Sequence, residues 1–112
     1  MRLAVPCNDG QIAAHFGHAA QFGFFDVNAD TGTVEKEEFL TPPGHEPGVL
    51  PRWLAEKGAN VVLAGGMGGR AVGLLEQQGI KAVVGVVESD ARKAVAAYVA
   101  GTLDSGSNAC NH

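Results

Sequence analysis

Apolar positions fall along the chain in short blocks whose spacing changes from strand-like to helical. Leu3-Ala4-Val5 is a continuous apolar block that predicts a buried strand closed by Pro6. Residues 7–18 have no period and read as a polar, irregular loop ending in His15-Phe16-Gly17-His18. Phe22 to Val27 predicts an aromatic-rich strand, Asn28 to Gly32 a turn, and Thr33 to Leu40 a returning strand. That second strand carries Glu35, Lys36, Glu37 and Glu38. Charge on both faces suits a solvated sheet edge guarded against other chains.

After the Pro/Gly loop at 41–48 the period becomes helical. Pro51 is tolerated only in a first turn, so a helix begins within residues 48–51, sets Val49, Leu50, Trp53 and Leu54 on one face and stops at Lys57-Gly58. Val61 to Ala64 predicts a strand, Gly65 to Gly69 a loop, Arg70 to Gln78 a helix ended by Gly79, and Ile80 to Val87 a further buried strand. Ser89 is the predicted N-cap of a last helix, whose apolar stripe is Ala91, Ala94, Val95, Tyr98 and Val99 and whose stop is Gly101. Continuous apolar strands alternating with helices argue for parallel pairing under helical cover. The expected architecture is α/β, an antiparallel hairpin on one side of a mixed sheet and parallel strands on the other.

The chain has 112 residues, room for one core. We expect a single domain over residues 1–104 and a flexible C-terminal tail over 105–112. Its 46% hydrophobic and 18% charged composition, with a mean hydropathy of +0.05, is that of a globular protein. Eight basic against twelve acidic residues give a net charge of −4, which speaks against a nucleic-acid or membrane-surface partner. No apolar run reaches membrane-spanning length and no leader pattern precedes the first strand. Two cysteines are too few for a disulfide framework, so a cytoplasmic protein with reduced thiols is expected.

Glycine, 16 residues of 112, is about twice as frequent as usual, and four stand within five positions at Gly65-Gly66-Met67-Gly68-Gly69, followed by Arg70. Between a strand and a helix such a loop offers backbone N–H groups to an anion, and Arg70 adds a fork of donors. A tight turn with close helix–sheet packing also uses glycine there, but needs fewer. Gly66-x-Gly68-x-x-Ala71 with Glu88 downstream matches a dinucleotide fingerprint in weak form, leaving a nucleotide-binding or small-molecule regulatory domain as the alternative reading.

Soft and borderline metal ligands are the second signal. His15 and His18 are three apart, Cys110 and His112 two apart, Cys7 follows the first strand and His45 sits in the Pro/Gly loop. All six lie in predicted loops or the tail. Thiolate with imidazole suits soft metals and sulfide clusters rather than magnesium or calcium. Taken singly, a loop histidine is usually only solvated. Phe16, between two histidines, can wall a site or simply pack. No nucleophile elbow, Walker sequence or His-Glu-x-x-His occurs.

Taken together, Leu3–Asp9, His15-Phe16-Gly17, Gly65-Gly66-Met67-Gly68, Gly79-Ile80-Lys81, Gly101-Thr102-Leu103 and Cys110-Asn111-His112 resemble the dinitrogenase iron–molybdenum cofactor biosynthesis family of NifX-like proteins, NifB C-terminal regions and small stand-alone relatives. The tail looks like the stand-alone, orange-protein type associated with molybdenum–copper sulfide clusters. The resemblance implies a ribonuclease-H-like fold with a mixed five-stranded sheet and about three helices. It also implies non-catalytic carriage of a metal–sulfur cluster containing molybdenum with iron or copper, exchanged with a cluster-donor or cluster-acceptor protein. His15, Phe16, Gly17, Gly65, Gly66, Met67, Gly68, Gly69 and Arg70 would surround the cluster. His15, His18, Cys110 and His112, then Cys7, would supply any direct metal ligand.

Overall fold

The computed structural model describes residues 1–28, 30–43 and 48–103. Strands β1 (Arg2–Asn8) and β2 (Gln11–Ile12) precede a 3₁₀ turn at Phe16–His18. Then come β3 (Gln21–Val27), β4 (Val34–Leu40), α1 (Val49–Glu56), β5 (Val61–Leu63), α2 (Gly69–Gln77), β6 (Lys81–Val83) and α3 (Ala91–Ala100). The sheet runs β4-β3-β1-β5-β6, with β2 paired to β1. β3 runs antiparallel to both of its neighbours, β4 and β1, whereas β5 and β6 continue from β1 in parallel. The expected mixed sheet with three helices is therefore present among the described residues, in an order compatible with a ribonuclease-H-like fold, but it has six strands rather than five, the short β2 arising within the expected loop.

Both faces of the sheet are covered, which is why its central strands read as unbroken apolar runs. Ala4, Phe22, Phe24 and Val62 face α1 and α2, where they pack with Leu50, Leu54 and Leu75. Their strand neighbours Leu3, Val5, Phe25, Val61 and Leu63 face α3, against Ala91, Ala94 and Val95. Trp53 meets the rings of Phe22 and Phe24 edge-on at 5.8 and 5.6 Å, so these aromatics are core.

The structure corrects several local expectations. β1 does not close at Pro6 but continues through Cys7 to Asn8. Pairing with β5 ends at Ala4, and the Pro6 carbonyl accepts the Ala13 N–H (2.8 Å) on that side. Nitrogen and carbonyl of one strand residue face the same neighbour, so the N–H that Pro6 lacks takes no bond from the β1–β3 ladder. β6 is only three residues long, because Gly85 turns into the left-handed region (φ 73°) two residues beyond it. The N-cap of α3 is Asp90 rather than Ser89, its carboxylate accepting the Lys93 N–H at 3.0 Å.

β4 forms one sheet edge and is largely exposed, as its charges predicted. It is not merely solvated: Arg92 of α3 clasps Glu37 through Nε at 2.9 and 3.0 Å and through Nη2. The opposite edge is β6, Lys81-Ala82-Val83, with a single charge.

Cys7 is not the loop residue expected. It lies inside β1 with no exposed surface, in the layer facing α3, and its thiol donates to the Val5 carbonyl at 3.2 Å. Burial pushes the thiol up to about 11. We expect Cys7 to resist iodoacetamide at pH 8, where on the order of one thiol in a thousand would be ionised, and to be labelled once denaturant is added; peptide mass spectrometry reads this. A second expectation concerns Gly73, inside α2. A Cβ there would meet nothing within 4 Å. Gly73→Ala should therefore stabilise the chain by about 0.5–1 kcal/mol in chemical denaturation, the intrinsic helix preference being unopposed.

Candidate functional site

Because both sheet faces are filled, polar chemistry collects at the ends of the strands. The three parallel strands send out three connections at their C-terminal end: residues 9–20 after β1, 64–68 after β5 and 84–90 after β6. β1 has an antiparallel neighbour on one side and a parallel one on the other. α1, α2 and α3 run back from this end, and none has an acidic residue in its first turn. The N-caps of α1 and α2 are Gly48 and Gly68, without a capping side chain. The uncapped N-termini of α1 and α2 thus offset, locally, the chain's net charge of −4, whereas that of α3 is met by the Asp90 and Glu88 carboxylates. At the other pole Arg2 donates to the Lys57 carbonyl at the C-cap of α1 (2.9 Å) while pairing with Asp26 at 2.8 Å. The Arg2 guanidinium holds the Asp26 carboxyl below its ordinary value.

The connections are stitched together by backbone bonds. Ile12 N–H donates to the Ser89 carbonyl at 2.7 Å, Ala91 N–H to Gly10 at 3.2 Å, and Gly85 N–H to Gly65 at 3.0 Å. Phe16 N–H donates to the Gly66 carbonyl at 3.0 Å. That bond brings the His15-Phe16-Gly17 segment and the glycine loop to one rim, far apart though they are in sequence.

The glycines of the loop divide by role. A Cβ on Gly65 would stand 3.8 Å from the carbonyl oxygens of Ala13, Ala14 and Val86, an ordinary contact, so the 12–16 strap passes over it without excluding a side chain. Gly66 is buried with its carbonyl engaged. Met67 is 1% exposed and sits in the core between sheet, α1 and α2 rather than at a loop tip. Gly68 is different. Its backbone (φ −65°, ψ 150°) is open to any residue and a Cβ would meet nothing within 4 Å. Gly17 is likewise unhindered. Neither strain nor crowding within the chain requires glycine at these two positions. Gly69 and Arg70 open α2 and are exposed.

His15 is exposed on this rim in extended backbone, and Phe16 beside it is buried. His18 closes the 3₁₀ turn. His45, Cys110 and His112 lie outside the described residues. Among the described residues no three His, Cys, Asp or Glu side chains gather as a metal site. The donors at Gly68–Arg70 fit an anionic group, whereas the carbonyls around Gly65 do not. Glu88, the ribose partner in the nucleotide reading, has its carboxylate on the Asp90 N–H at 3.0 Å. Sequence reasoning missed the 85–90 segment as a third wall; Gly85, interrupting an apolar run, was its one signal.

Among the described residues no helix is long and apolar enough to cross a membrane. No curated protein matches the sequence. Among solved structures, the protein designated PH0822 is 31% identical with a TM-score of 0.86, over 95% of this chain and 96% of that one. The apo form of the orange protein from Desulfovibrio gigas is 29% identical with a TM-score of 0.74, over 96% and 93%. The mj0327 protein of Methanocaldococcus jannaschii shares the fold at 13% identity and a TM-score of 0.76, over 96% of both chains. The sequence profile described as "Dinitrogenase iron-molybdenum cofactor" matches residues 1–101, from the first strand to the stop of the last helix, and so takes in every segment of this rim: the chain belongs to that family.

Proposed function

We propose that the chain is a non-catalytic carrier for a metal–sulfide cluster containing molybdenum with iron or copper. The cluster is cargo, taken from a donor protein and passed to an acceptor during assembly, storage or delivery in a reducing cytoplasm. The observation that carries this reading is the Phe16–Gly66 hydrogen bond, which unites exposed His15 with the two unhindered glycines Gly17 and Gly68 at the positive ends of the helices. Membership of a family described by the iron–molybdenum cofactor supports the cargo's class.

The chemistry follows from the groups on the rim. A metal–sulfide cluster is a bulky anion with sulfide acceptors on its surface. The N–H groups of Gly68, Gly69 and Arg70 and the Arg70 guanidinium donate to such acceptors, as donors around iron–sulfur clusters do. Bare glycines let the cluster lie against the main chain. His15 offers a borderline nitrogen ligand, with His18, Cys110 and His112 as the further ligands proposed. Cys7 is left out, since its buried, protonated thiol would have to leave the core to reach a metal. Gly65, Gly66 and Met67 act from behind, holding the loop in place.

We expect the protein to take up tetrathiomolybdate with copper and to develop charge-transfer absorption in the visible. A Cβ at Gly68 meets nothing within 4 Å and the backbone there is extended, so a His15→Ala/Gly68→Val double variant should keep its circular dichroism spectrum and lose affinity by about tenfold or more. Equal binding by the double variant and the parent would place the cargo elsewhere.

A further inference from the structure

Phe16, at 5% exposure, offers a cargo little surface of its own. It is nevertheless held from two directions. Its N–H is bonded to the Gly66 carbonyl at 3.0 Å, and its ring meets the edge of Phe22 with centroids 5.6 Å apart. Phe22 is fully buried on β3 and in turn meets Trp53 of α1. Phe16 and Met67 plug into the same apolar cluster, so both sides of the rim are moored in one piece of core. On the other side of the strap, Ile12 and Ala13 are fixed by their bonds to Ser89 and Pro6. Between these moorings only Ala14 and His15 are exposed. With Phe16 fixed, the Cα–Cβ direction of His15 is fixed too, which narrows where its imidazole can stand.

We propose that Phe16 is the positioning residue that sets where the His15 imidazole stands against the glycine loop, and so governs cargo affinity without touching the cargo. This rests on the carrier reading above. The dependence runs through one histidine, which makes it separable from a general loss of structure.

The test is a double-mutant cycle with tetrathiomolybdate and copper as probe, each variant first verified as folded by circular dichroism. Phe16→Ala and His15→Ala should each weaken binding by about tenfold, while Phe16→Leu, which keeps an apolar anchor, should stay within about threefold. The Phe16→Ala/His15→Ala variant should bind no more weakly than His15→Ala alone, since the two act as one unit. Multiplying losses, or unchanged binding by folded Phe16→Ala, would overturn the proposal. Should Phe16→Ala not fold, Phe22→Leu loosens the same ring from below and enters the cycle in its place, with the same outcomes. A cargo-free arm keeps the two readings apart. In nuclear magnetic resonance the His15 ring should give one set of signals in the parent and multiple or broadened signals in the loosened variant, with loss of amide protection at Phe16. Sharp, unshifted His15 signals there refute the positioning role. Failure of the parent protein to bind the probe refutes the carrier reading, with the resonance arm still deciding on Phe16.

Discussion

The rest of the molecule depends on the double burial of its sheet. Leu3 and Ala4, adjacent in β1, point into different apolar layers, one under α3 and the other under α1 and α2. With both faces filled, no buried polar or charged residue remains among the described positions, and polar groups are driven to the strand ends and the surface. The α/β connectivity then makes the two ends unequal. One end gathers the outgoing loops and the beginnings of helices; the other gathers helix ends and the Arg2–Asp26 pair. The local excess of donors at the first end comes from peptide dipoles, so it survives in a chain whose side chains are acidic on balance.

Much of the architecture was legible from period alone. The hairpin, the exposed β4 edge, the faces of α1 and α3 and the glycine stops at Gly58, Gly79 and Gly101 all stand where the pattern of residues put them. The failures have local causes. Pro6 looked like a terminator because a sequence does not say which neighbour a strand residue's N–H faces. The apolar run through Val87 hid the end of β6, since only Gly85 broke it. Cys7 was assigned to a loop by proximity to that same proline, and its place in the core layer followed from the longer strand.

The rim was legible in part. Glycine clustering flagged the loop, but composition could not separate Gly65, half-buried beneath the strap, from Gly68, open to the outside. That distinction needs three dimensions: it turns on which backbone crosses which. The buried position of Met67 was equally hidden, since a methionine flanked by glycines looks exposed in sequence and yet completes the core between two helices. The meeting of Phe16 with Gly66 is a long-range contact with no short-range signature.

The two margins of the sheet are defended by different means, and this bears on behaviour at high concentration. β4 presents alternating carboxylates and a lysine along seven residues, and Arg92 straps it to α3. β6 relies on brevity, with three residues and one ammonium group. Accretion of a foreign strand would therefore meet less resistance at β6, where a short border and the Lys81 ammonium group are the defence.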